Sequence, residues 1–158
     1  MENPQNCDNS LKPKAIAMSS NFFKSEELKP KGTSYELDSF LDQIPFNEAG
    51  LVPVIAQQFD TLEVLMLAWM NREAIIQTLK TSEVTYWSRS RQEYWVKGKT
   101  SGHIQELKEM KADCDGDALL CLVDQKGAAC HTFRKTCFFY QFNIENQSIS
   151  ISSDTPKK

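Results

Sequence analysis

The first 71 residues contain no arginine, and no continuous apolar stretch opens the chain. A secretory signal needs the second and an Arg-rich transit peptide the first, so a cytoplasmic protein is expected. No apolar run approaches the ~20 residues of a membrane helix, which leaves no spanning segment and no membrane partner. A Lys/Arg stripe is also missing. The 18 basic side chains are outnumbered by 21 acidic ones, for a formal net charge of −3, so no nucleic-acid partner is expected either. Cysteine is sparse and odd in number, with Cys7, Cys114, Cys121, Cys130 and Cys137, and no two of them are spaced C-x-x-C. In a reducing compartment such thiols are metal ligands or core residues more often than disulfides. No internal repeat is visible.

What is present is a chain of 158 residues, 41% apolar, enough for one domain with a real core. Residues 1–40 are polar and mixed in charge, with Pro, Gly and Ser but no sustained period, and read as a flexible N-terminal extension. Residues 146–158 read as a C-terminal tail in which "SISIS" alternates as a short edge strand would. The domain lies between them, at 41–145. "LVPVIAQQF" (51–59) and "EVLMLAWM" (63–70), divided at Asp60-Thr61, predict a hairpin of two well-buried strands. Asn71 is placed to cap a helix over "REAIIQTLK", with Ile75, Ile76 and Leu79 on one face. "VTYWSRS", "YWVKG", "IQELKEMKADC", "ALLCLVDQ" and "TCFFYQF" are strand-like in length and content. The fold class predicted is α+β, predominantly β, with a mostly antiparallel or mixed sheet and one or two helices.

Three clusters carry chemistry. Asp113, Asp115 and Asp117 alternate, so on an extended chain their side chains leave from one face and Cys114 from the other. Three like charges on one face call for a hard cation such as Mg²⁺ or Ca²⁺, or else belong to a solvated turn at a strand end. A calcium EF-hand loop is excluded, since Ala118 stands where it needs glycine and Asp124 where it needs glutamate. Cys114, Cys130 and Cys137 form C-x15-C-x6-C, with His131 directly after Cys130. They read either as three zinc ligands leaving a fourth position for water or as three unrelated buried thiols. Cys121, inside "LLCLV", reads as core, and Cys7 receives no role. Finally, Arg89 and Arg91 fall on one face of an expected strand. Lys97, Gly98, Thr100, Ser101 and Gly102 suit a phosphate-holding loop or a solvated charged hairpin.

Taken in order, "EVLMLAWMNREA", "YWSRSR" with "YWVKGKTSGH", "DCDGDALL" and "ACHTFRKTC" resemble the phosphoribosyl-AMP cyclohydrolase family of histidine biosynthesis, which opens the adenine ring of N1-phosphoribosyl-AMP. The resemblance runs from about residue 50 to 142. It departs at Phe133, where the family pattern has glycine, and in the longer N-terminal extension. With no downstream pyrophosphohydrolase domain, a monofunctional form is expected. The resemblance implies Cys114, Cys130 and Cys137 as Zn²⁺ ligands and Asp113, Asp115 and Asp117 as a Mg²⁺ site. It also implies an interlocked homodimer in which Cys114 completes the zinc site of the partner chain. On that reading, a zinc-activated water attacks C6 of a small nucleotide and the N1–C6 bond breaks. His131 is the first candidate for the base, His103 orients substrate, and Arg89, Arg91, Lys97, Thr100, Ser101 and Gly102 meet phosphate. The nearest rival, a zinc-dependent nucleoside or base deaminase, attacks the same carbon, but its H-x-E and P-C-x-x-C signature is missing.

Overall fold

The apolar runs between residues 51 and 70 form β1 (Val52–Gln58) and β2 (Val64–Met70), paired antiparallel as the sequence predicts. In the computed structural model, which describes residues 16–156, β1 also pairs in parallel with β6 (Leu119–Gln125). β6 in turn pairs antiparallel with β5 (Gln105–Ala112), so the sheet order is β2-β1-β6-β5. A parallel pair needs a long crossover, and everything between β2 and β6 serves as one. β1 and β6 alternate buried and half-buried positions, so one face of the sheet, with Val54, Ala56, Cys121 and Val123, is fully enclosed. That face joins Ala74, Ile75, Val84 and Tyr86 in a single core. The mixed sheet and few helices make the fold α+β.

The helix α3 (Arg72–Thr81) starts where the Asn71 side chain accepts a hydrogen bond from the Ala74 amide at 2.9 Å. It ends at Ser82, which turns left-handed at φ 60°. Its buried face is Ala74, Ile75 and Thr78, and Leu79, expected in the core, is 41% exposed. Thr78 earns its burial by exchanging hydrogen bonds with the backbone of Thr85. Two short hairpins complete the fold, β3 (Thr85–Ser88) with β4 (Glu93–Val96), and β7 (Tyr140–Asn143) with β8 (Ser148–Ile151). The strand expected over "TCFFYQF" begins only at Tyr140, because 130–137 is held as a loop by the Cys130 and Cys137 amides donating to Arg134 and Leu65 carbonyls. "SISIS" does pair, as β8. No helix among the described residues is long and apolar enough to cross a membrane.

The segment read as a flexible extension differs from that reading from residue 16 onward. It contains α1 (Ile16–Glu26) and α2 (Leu37–Leu41). Cys7 and the rest of residues 1–15 lie outside the described residues. Phe22, Phe23, Tyr35 and Phe40 meet with ring centroids 5.2–6.1 Å apart, mostly edge to face, the arrangement aromatic quadrupoles favour. Phe23 is buried against Gly116, where an added Cβ would stand 2.2 Å from the ring. The N-terminal segment therefore sits on the β5–β6 turn, the turn that carries the three aspartates.

Candidate active site

β6 divides the chemistry of this chain into two ends. Beyond its C-terminal end lie Cys130, His131 and Cys137, and beyond its N-terminal end lie Cys114 and the aspartates. The seven-residue strand between these two segments is itself roughly 20 Å long.

At the first end, the loop 129–137 brings two of the three expected zinc ligands together. Burial pushes the Cys130 thiol up, but hydrogen bonds from Thr132 and Cys137, with the Arg134 charge, outweigh it and hold the thiol below its ordinary value. The Thr132 hydroxyl lies 3.1 Å from Cys130 Sγ, and His131 Nδ1 lies 4.0 Å from the same atom on an exposed side chain. Burial, then the neighbouring Cys130, pushes the Cys137 thiol up to about 11, against the pull of Lys97. A thiol pair in which one member ionises readily suits a soft metal. Cys121, by contrast, lies in the core, where burial pushes its thiol up to about 12, as expected of a thiol that stays neutral.

Lys97, expected to reach phosphate, is buried beside the thiols. Burial lowers its ammonium, while the charges of Cys137 and Cys130 oppose that, and its Nζ lies 5.6 Å from the Trp95 ring centroid. Thr100, Ser101 and Gly102 follow in a tight loop closed by the Gly102 amide donating to the Gly98 carbonyl at 2.8 Å. Thr100 and Ser101 line an open depression of about 470 Å³ beside Arg91, Trp95 and Lys97. Arg89 and Arg91 are not on a strand. Both fall in the β3–β4 turn, where Arg89 stacks 4.8 Å over the Trp69 ring and Arg91 Nε pairs with Glu93 at 3.0 Å. Arg89 and Trp69 line a second depression of about 510 Å³ that shares Trp95 with the first. An aromatic and cationic wall of this kind suits a phosphorylated nucleotide.

His103 closes the loop and is fixed from beneath by residues the sequence did not flag. The buried Tyr86 hydroxyl donates to Gln105 Oε1 at 2.6 Å, Gln105 Nε2 donates to Gln125 Oε1 at 2.9 Å, and Gln125 Nε2 donates to the His103 carbonyl at 3.2 Å. Gln105 and Gln125 face each other across β5 and β6, each two positions from an apolar residue, a pairing that shows only once the two strands are brought together. Phe133 approaches His103 at 6.0 Å between ring centroids and 84° between planes. Its backbone is left-handed at φ 64°, which costs a bulky residue about 1–2 kcal/mol.

At the other end, Asp113, Asp115 and Asp117 bring one ligand oxygen each to within 4.8 Å of one another, all exposed. They do so as a turn and not along a strand. The Asp113 amide donates to the Ala118 carbonyl, the Asp113 carbonyl accepts from the Gly116 amide, and Gly116 takes φ +73°. Cys114 is exposed in this turn beside the Phe22 and Phe23 rings, at the other end of β6 in the chain from Cys130 and Cys137. A hydrogen bond with Asp113, then burial and the charges of Asp113 and Asp115, hold the Asp117 carboxyl above its ordinary value. A carboxyl raised in the folded state favours folding in acid, and this contribution is lost as pH rises through the folded value. At neutral pH the cation-free turn is therefore strained by its own charge. Asp117→Asn is expected to unfold at the same or a higher temperature than the parent without divalent ions. Were the three carboxylates to hold Mg²⁺, the added ion would raise the melting temperature of the parent more than that of the variant. Thermal scans with and without Mg²⁺ check this, and a variant that is less stable without the ion would contradict it.

Two open clefts, one of them lined by a lysine that lies beside a thiol pair, on a small α+β scaffold, suit an enzyme better than a closed four-ligand zinc module. A family model described as phosphoribosyl-AMP cyclohydrolase matches residues 66–139, which include both clefts, the acidic turn and the thiol loop. The chain is 55% identical over 127 residues to the phosphoribosyl-AMP cyclohydrolase of Alcanivorax borkumensis, covering 80% of this chain and 89% of that protein. It is 63% identical over 98 residues to the one of Roseobacter denitrificans, covering 62% and 77%, and 61% identical over 107 residues to the one of Rhodospirillum centenum, covering 68% and 80%. The chain belongs to the phosphoribosyl-AMP cyclohydrolase family, and it is a hydrolase of histidine biosynthesis.

Proposed function

We propose that this chain hydrolyses the N1–C6 bond of 1-(5-phosphoribosyl)-AMP at a site completed by two copies of the chain. The reading is carried by one observation, the pairing of Cys130 with Cys137 next to His131 while the third thiol, Cys114, lies exposed at the far end of β6. Two thiols alone are an incomplete zinc site, and a third from a second chain brings the set to the three protein ligands of a catalytic one. The β7–β8 hairpin supports such an assembly, because Tyr140, Phe142, Ile149 and Ile151 are all exposed, an apolar ribbon that burial in a homodimer would cover. Zinc, when bound, supplies a Lewis acid that makes water a usable nucleophile at neutral pH. Asp113, Asp115 and Asp117 would hold Mg²⁺, whose charge helps to seat a phosphorylated substrate.

The remaining steps belong to the chain's own side chains. With Nδ1 turned toward Cys130, the His131 imidazole takes the proton of the attacking water at Nε2 and returns it to N1 as the N1–C6 bond breaks. The water oxygen stays on C6, which keeps its amine and becomes a carboxamide, while N1 stays on the phosphoribosyl amidine. Arg89 and the loop Thr100, Ser101 and Gly102 bind the phosphates, and Arg91 reaches the same groups on exchanging Glu93 for them. The Lys97 charge opposes the rise of the Cys137 thiol and so favours its thiolate. His103 orients the base. The reaction suits a cytoplasmic enzyme on a soluble metabolite.

Purified protein with Zn²⁺ and Mg²⁺ should change the ultraviolet absorbance of N1-phosphoribosyl-AMP as the purine opens, and release no ammonia. His131→Ala should retain zinc and lose turnover on the order of 10²- to 10⁴-fold. Ammonia release would point instead to a deaminase. Full activity of the variant across pH would remove His131 from the reaction.

A further inference from the structure

Among the described residues, five other than glycine take positive φ. Leu62, Gln92 and Gln147 sit in hairpin connections and Ser82 ends α3, places where a left-handed residue closes a turn. Phe133, at φ 64°, is a bulky side chain in the loop that carries Cys130, His131 and Cys137. Glycine would adopt this backbone freely, so the ring must have a use that offsets the strain. The ring is 45% exposed, so core packing alone does not account for it. Its edge-to-face partner is His103, which belongs to the other loop of the site.

The same imidazole also meets a stretch of backbone. A Cβ at Gly127 would stand 2.5 Å from His103 Cδ2 and 3.0 Å from Cγ and Nε2, so the ring lies directly on the Gly127 backbone. The backbone of His103 is fixed too, since a Cβ at Gly98 would stand 2.3 Å from the His103 carbonyl carbon, and the buried glutamine relay holds its oxygen. The imidazole thus has a backbone floor on one side and the Phe133 ring on another. We propose that Phe133 is a positioning residue for this reaction, holding the His103 imidazole against Gly127 and so tying the loop 98–104 to the thiol loop 129–137. This rests on the reading of His103 as a substrate-orienting group.

The test is a double-mutant cycle with Phe133→Gly, His103→Ala, the double variant and Phe133→Tyr, measuring kcat, KM, melting temperature and the imidazole resonances of His103. Phe133→Gly should melt at or above the parent temperature, because the backbone strain is gone. Its kcat should nevertheless fall, on the order of 10- to 10²-fold, as expected of a sub-ångström to 1 Å misplacement, while KM changes far less. The His103 resonances should move in Phe133→Gly and return in Phe133→Tyr, which should also recover kcat. If Phe133 acts through His103, the double variant is no slower than His103→Ala alone. Losses that multiply in the double variant would overturn the inference, as would a Phe133→Gly protein with full kcat beside an impaired His103→Ala. Full kcat in His103→Ala would overturn the reading of His103 itself.

Discussion

Cys130→Ser is expected to abolish both bound zinc and turnover, while Cys121→Ala keeps both nearly intact. The two residues are the same chemical type, both buried, in neighbouring segments of one chain. What separates them is environment. Cys130 sits with Cys137 and is held below its ordinary value despite burial, the direction that favours the thiolate a soft metal would require. Cys121 is pushed up to about 12 by the core around it, and among the described residues no second thiol contributes to that shift. On the proposed assignment a serine hydroxyl at 130 would not replace a thiolate, and the single remaining thiol of the pair would not hold the metal. Alanine at 121 removes one sulfur from the core beside Ala56, at a cost on the order of 1 kcal/mol to folding and none to chemistry. Zinc content by mass spectrometry and turnover, measured on both variants after folding is verified, decide it. Equal losses would show the ligand assignment to be wrong.

Much of the sheet could be read from the sequence because its determinants are local. β1 and β2 are continuous apolar runs with a polar break, and α3 announces its start through Asn71. β8 shows plain alternation. The helices α1 and α2 could not be read, since what holds them is a tertiary aromatic cluster from Phe22, Phe23, Tyr35 and Phe40, whose spacing follows no helical period. Leu79 looked like core by periodicity, yet the helix is rotated so that Thr78 faces inward, satisfied by Thr85.

The site was legible in its residue types and less so in its geometry. Residue type marks the three aspartates as a cluster, but their convergence comes from a turn allowed by Gly116 at φ +73°, which strand alternation does not capture. Arg89 and Arg91 were placed on a strand that ends at Ser88. Lys97 carries a charge that composition assigns to the surface, and only the fold reveals its burial beside Cys130 and Cys137. The relay from Tyr86 through Gln105 and Gln125 to His103 spans three segments distant in sequence, and no local pattern marks it.

The central claim is that the zinc site needs two chains, one giving Cys130 and Cys137 and the other Cys114. Homodimers of Cys114→Ser and of Cys130→Ser each lack one ligand at every site and should both be inactive. In a mixed dimer, one site collects both lesions. The other takes Cys114 from the Cys130→Ser chain and the intact pair from the Cys114→Ser chain, so it is complete. Random re-pairing of equal amounts makes about half the dimers mixed, each with one good site of two, for about a quarter of parental activity in a two-fold assembly. The decisive measurement is therefore turnover after the two inactive variants are unfolded and refolded together with zinc. Recovery to about a quarter is the predicted result, and continued inactivity in verified mixed dimers would contradict a shared site.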